Sequence, residues 1–135
     1  MPIFFSDRQP DLVELMDLDN CDPVQLTNTY RQFSLINSLL SNWRKIYTRI
    51  LAPNMKESPR QYSLLDIGFG GGDIPLLLSE WAKKDGINLH ITAIETDKRA
   101  FDYVQTLPTN SRVQFKHCSS SDLVKNNEHF DFVIS

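Results

Sequence analysis

Asp66, Gly68, Gly70 and Gly72 form a D-x-G-x-G-x-G run, and with Gly71 it places four glycines in five positions directly behind the apolar stretch YSLLDI. Glycines there let a ligand approach the backbone with no Cβ in the way, and a helix starting just after them offers N–H groups that lack an intrahelical partner. A tight strand-to-helix turn with no ligand at all would use the same residues. Glu95 lies 23 positions beyond Gly72, at the end of the next apolar run, HITAIE. A carboxylate at that place could accept both hydroxyls of a ribose; a solvated strand-end carboxylate is the plainer alternative. Loop and carboxylate together point to a nucleotide-like ligand.

Spacing narrows the choice. The dinucleotide fingerprint G-x-G-x-x-G would need its last glycine at position 73, where this chain has Asp73, and an acid at the start of a helix repels a pyrophosphate. A phosphate-binding P-loop is excluded because no Gly-Lys-Ser/Thr follows. What remains is a nucleoside cofactor that carries a carboxylate in place of phosphates. The two cysteines, Cys21 and Cys118, form no CxxC and have no histidine at ligand spacing, so neither a zinc site nor a disulfide framework is indicated. His90, His117 and His129 read as strand and loop residues, and no side chain stands out as a general base.

The elements that must position these residues are legible as a change of period. Leu26, Tyr30, Phe33, Leu40, Trp43, Tyr47 and Ile50 recur at three- or four-residue steps, with one gap bridged by Ile36 or Asn37, the mark of an amphipathic helix. Asp22 before Pro23 supplies its N-cap, and the helix is expected to stop before Pro53. Residues 1 to about 22 read as a loosely docked arm with one helical turn in DLVELM. After the polar linker NMKESPRQ, YSLLDI, NLHITAIE, RVQFKHC and FDFVIS read as strands. DIPLLLSEWAKKDG, with Asp73 able to cap and Gly86 at the stop, and DKRAFDYVQTL, with Asp97 as N-cap, read as the intervening helices. Strand alternating with helix implies parallel βαβ units, with ligands bound at the carboxyl ends of the strands.

Bulk properties agree with a one-domain globular chain. Its 135 residues carry 41% hydrophobic and 23% charged side chains and a formal net charge of -3, which argues against a nucleic-acid partner. No window holds the roughly 18 apolar residues of a membrane span, and the N-terminus has no basic segment leading into an apolar one. A cytoplasmic location is expected.

The D-x-G-x-G-x-G loop followed by an acidic strand end resembles the class I S-adenosylmethionine-dependent methyltransferases, over roughly residues 26–135. The resemblance implies a Rossmann-like α/β fold, a doubly wound parallel sheet preceded by an N-terminal helical cap. Residues 1–55 would be the arm and cap, and residues 56–135 the S-adenosylmethionine-binding domain. It further implies that Gly68, Phe69 and Gly70 contact the methionine and ribose portion, with Gly72 completing the loop. Asp66 would orient the loop or the cofactor's amino group, Glu95 bind the ribose diol, and Thr96 border the adenine. Phe69 stands where small residues or Cys are common. Aligning VQFKHCSSSDL places Ser119 at the position of the family's adenine-contacting acid, so contact falls to its hydroxyl or to the Ser120 backbone; a simple polar turn explains SSSD equally well. Tyr30, Asn37, Ser41, Trp43 and Arg44 fall on landmarks of ubiquinone/menaquinone-biosynthesis-type methyltransferases, making Tyr30 a candidate for the cofactor carboxylate or the substrate and favouring a quinone, polyketide or other aromatic small-molecule acceptor. For Trp43 and Phe33 core packing is the favoured reading.

The family's sheet has seven strands in the order 3-2-1-4-5-7-6, and HFDFVIS matches the fourth. The chain is therefore expected to be the cofactor-binding part of a longer enzyme, with an exposed apolar edge at that strand through which a homodimer could pair. Two other readings stay open: a non-catalytic S-adenosylmethionine-binding or assembly module, and an NAD(P)-dependent oxidoreductase.

Overall fold

The computed structural model describes the backbone of residues 3–5 and the whole of residues 38–135. Five strands form one all-parallel sheet: β1 (Ile3–Phe5), β2 (Tyr62–Ile67), β3 (Leu89–Glu95), β4 (Val113–His117) and β5 (Phe132–Ile134), in the spatial order β1-β5-β2-β3-β4. Four helical segments accompany them. α1 covers residues 38–56, α2 is Asp73–Lys84, α3 Lys98–Val104 and α4 Ser120–Lys125. The molecule is thus an α/β protein compatible with a Rossmann-like arrangement, and no helix among the described residues is long and apolar enough to cross a membrane.

Both faces of the sheet are covered, which is why the strands read as apolar runs rather than as alternating patterns. On one face Tyr62, Leu64, Leu89, Ile91, Phe132 and Ile134 pack with Trp43, Tyr47, Leu51 and Met55 of α1 and with Leu78 and Ala82 of α2. On the other, Leu65, Ile94 and Val133 meet Leu123 of α4. Trp43 is therefore a core residue, as the helical stripe suggests. The chain runs outward from β2 through β3 to β4 and then returns to place β5 on the other side of β2. That reversal makes the carboxyl ends of β2 and β5 the topological switch point, where a crevice opens in such sheets.

Several local features differ from the sequence reading. The N-terminal arm contributes a strand: Ile3, Phe4 and Phe5 pair in parallel with Phe132, Val133 and Ile134, so the edge of β5 expected to lie open for a second copy is occupied by the chain itself. α1 runs through Pro53 instead of stopping before it. Its segment Tyr47–Leu51 is a π-helix in which the Ala52 N–H bonds to the Tyr47 carbonyl, and Pro53 then sits in the first turn of the α-helical stretch Ala52–Lys56. The wider π coil relieves the clash a proline ring makes with the carbonyl four residues back. Asp73 is the first residue of α2 rather than its cap, and makes no side-chain capping bond. The SSSD stretch, for which a polar turn is one of two readings, opens the short helix α4.

The stop of α2 follows expectation. Gly86, at φ 71°, lets the Ile87 N–H reach the Ala82 carbonyl at 2.8 Å and its own N–H the Lys83 carbonyl at 3.1 Å, closing the last turn. The helix start at Asp22 and the apolar positions Leu26, Tyr30, Phe33 and Ile36 or Asn37 lie outside the described residues, as does Cys21.

Candidate functional site

The glycine loop leaves β2 at Ile67 and is stapled to the neighbouring strand, with the Gly68 and Phe69 N–H groups donating to the Ile94 carbonyl at 2.7 and 3.2 Å. Gly68, Gly70 and Gly72 all have positive φ. At Gly72 the reason is doubly clear. Its φ is 81°, and a Cβ there would lie 2.9 Å from Val104 Cγ1 and 3.2 Å from the Phe115 ring. Gly72 is thus required by the packing of the loop on α3 and β4. Phe69 points the same way: its side chain is buried with Ala93 and Val104 and meets Phe115 edge-on at 4.8 Å. Any ligand contact at position 69 is therefore through the backbone, and the aromatic ring, unusual at this place in the resembled motif, anchors the loop from below.

Glu95 closes the loop from the other side. One carboxylate oxygen, Oε2, accepts the Gly70 N–H at 3.1 Å; the other, Oε1, accepts the Thr96 and Asp97 N–H groups at 2.9 and 3.2 Å. Asp97 in turn caps α3, its Oδ1 accepting the Arg99 N–H at 2.9 Å, and the Arg99 hydrogen bonds hold its carboxyl below the ordinary range. The Thr96 carbonyl accepts Nε2–H of His117 at 3.0 Å, and the His117 ring stacks on Phe101. His117 is the register partner of Glu95 on the adjacent strand. Nothing in the sequence marked that contact; aligning HITAIE with RVQFKH as neighbouring parallel strands would have.

Asp66, on β2 just before the loop, is only 2% exposed. Beyond the loop, Asp73 is exposed as a residue, yet desolvation of its carboxyl by neighbouring atoms raises its pKa above the usual carboxylate value. A carboxylate in the first turn competes with a phosphate for the positive end of the helix. Ser119 and Asp122 are occupied with each other. The Asp122 Oδ2 accepts from the Ser119 N–H at 2.9 Å and from its hydroxyl at 3.1 Å, a pairing that starts α4 and lowers the Asp122 pKa. Ser120 is the exposed first residue of α4.

The structure therefore brings Asp66, Gly68, Phe69, Gly70, Gly72, Glu95 and Thr96 together at one end of the sheet. Ser119 and Ser120 follow β4 at the same end, turned into their own helix start, and Tyr30 lies outside the described residues. A separate groove of about 1050 Å³ runs along α2 opposite residues 108–112, with Leu40, Leu76, Lys83 and Arg112 on its walls; Asp73 borders it, but none of the nine predicted site residues among the described residues does. No cluster of three or more His, Cys, Asp or Glu among the described residues could hold a metal ion. Neither a protein-family model nor a curated protein matches the chain.

Proposed function

We propose that the protein is an S-adenosylmethionine-dependent methyltransferase of the class I type, acting in the cytoplasm on a small aromatic acceptor of the quinone or polyketide kind. The observation that carries this reading is the 3.1 Å bond between the Glu95 carboxylate and the Gly70 N–H, which unites two motifs 25 residues apart in one site. The donor set suits a nucleoside with a charged amino-acid tail. Glu95 is an acceptor for ribose hydroxyls, the loop supplies backbone donors, and the buried Asp66 and the desolvated Asp73 favour a cation over a polyphosphate.

S-adenosylmethionine supplies a methyl already activated by its sulfonium, so the protein's task is to hold that methyl in line with the acceptor in a pocket poor in water. Orientation of this kind accounts for about 7–11 kcal/mol of barrier in well-aligned systems. A rigid loop serves that purpose, and this one is pinned by Phe69 below and Glu95 beside it. Titration calorimetry with S-adenosylhomocysteine tests the reading. Binding to the wild type, with at least about a tenfold loss in Glu95→Ala, is expected from the removal of a charged acceptor. Binding of NADH in preference would overturn it in favour of an oxidoreductase.

A further inference from the structure

We infer that Glu95 is a latch on the glycine loop, and that a nucleoside with a vicinal diol releases Gly70 when it binds; the inference rests on the methyltransferase reading and adds to it a ligand-driven exchange of hydrogen bonds. Each carboxylate oxygen offers about two lone-pair directions. Oε1 already accepts two N–H groups, from Thr96 and Asp97, and Oε2 accepts one, from Gly70. One direction is left, whereas a bidentate grip on two ribose hydroxyls asks for two. One existing bond must therefore be given up.

Gly70 is the partner placed to leave. Thr96 and Asp97 are one and two residues from Glu95, so their bonds are fixed by the local turn, while Gly70 is 25 residues away on a separate loop. The loop survives the exchange, because the Gly68 and Phe69 N–H groups stay on the Ile94 carbonyl and the Gly72 N–H stays on the Phe69 carbonyl at 3.0 Å. Releasing Gly70 also frees a backbone donor beside the ligand, available to an acceptor on the ligand itself. The ligand-free loop is thus held in place by the carboxylate that the ligand later takes over.

Amide hydrogen exchange and NMR of the whole protein test this. In the free wild type the Gly70 amide is expected to exchange about tenfold or more slowly than in Glu95→Ala, with Glu95→Gln between them because its uncharged oxygen still accepts. Saturating S-adenosylhomocysteine is expected to move the Gly70 resonance well beyond the shift caused by the 2′,3′-dideoxy analogue, which has the same adenine and amino-acid tail but no diol. Equal Gly70 exchange in the free wild type and Glu95→Ala, or equal shifts with both ligands, would overturn the latch. Absence of any binding heat for S-adenosylhomocysteine overturns the methyltransferase reading instead, and the latch with it.

Discussion

Asp131 ties the start of β5 to the start of β2 through Arg60 and Ser63. Its Oδ2 accepts from the Arg60 Nη1 at 3.1 Å and from the Ser63 N–H at 2.9 Å, Oδ1 accepts from the Arg60 Nη2 at 3.1 Å, and its own N–H donates to the Ser63 carbonyl. The Arg60 hydrogen bond, aided by Ser63, holds the Asp131 pKa below its ordinary value. A carboxyl whose folded pKa is depressed contributes stability above its unfolded pKa, near 3.9, and loses it as pH falls through the folded value. Asp131→Asn is therefore expected to cost about 1 kcal/mol at pH 7, because its one side-chain oxygen cannot serve both Ser63 and the Arg60 fork and no longer carries the charge that strengthens those bonds, while the half-exposed Arg60 keeps the loss small. Urea denaturation should show the gap to the wild type narrowing below about pH 4. Gly72→Ala makes a different demand. A Cβ at positive φ meets Val104 and Phe115, so strain and overpacking together should cost about 2–4 kcal/mol, with the denaturation midpoint lowered at every pH.

At the scale of elements, α1 shows how a helix keeps its apolar stripe across a proline. The π segment places both Tyr47 and Leu51 fully inside, where a plain α-helix broken at Pro53 would have left Met55 without a helix to carry it into the core. Tyr47 is buried against Trp81 of α2, with Arg44 over both rings, and its hydroxyl donates to Asp85 Oδ2 at 2.6 Å. Burial, reinforced by Asp85, raises the phenol's pKa, so the bond persists into strongly alkaline solution. Tyr47→Phe should lower stability by about 1–2 kcal/mol while leaving the sheet intact, as judged by urea titration alongside far-ultraviolet circular dichroism. The strands from Tyr62 onward and the helices α2 and α3 were legible because each is an apolar run or stripe bounded by Gly, Pro or Asp. β1 and α4 were not: three residues are too few for alternation, and a six-residue helix too short for a period, although the Ser119–Asp122 spacing signals its start. The π segment escaped because it needs the packing of Tyr47 and Leu51 to repay its poorer geometry. Within the site, residue types and spacing revealed the loop and Glu95, but not that they touch, since the Gly70 contact depends on parallel strands brought side by side.

Taken whole, the molecule places its loop and acidic strand end at a switch point of a parallel sheet whose opposite end is fastened by Asp131. One end of β2 is locked by the Arg60–Asp131–Ser63 bonds, and the loop at the other end is held by the Gly70 N–H donating to the Glu95 carboxylate on β3. A ligand at the second end binds only the folded arrangement, because Asp66, Gly70 and Glu95 meet nowhere in the unfolded chain. Linkage then makes binding a stability measurement: a ligand at a hundred times its dissociation constant adds about 2.7 kcal/mol. For a chain of 135 residues, about 1 kcal/mol corresponds to roughly 3–5 °C in melting temperature, so S-adenosylhomocysteine at that excess should raise Tm by about 8–13 °C. Glu95→Ala, at the same ligand concentration and with about a tenfold weaker affinity, should lose about half of the shift or more, and NADH should give none. Differential scanning calorimetry over a ligand series reads all three. A shift with NADH larger than with S-adenosylhomocysteine would mean that the acid at the start of α2 does not exclude a pyrophosphate, and the choice of ligand drawn from Asp73 would be wrong. A shift with S-adenosylhomocysteine that survives Glu95→Ala undiminished would leave the cofactor in place but move its diol to another acceptor.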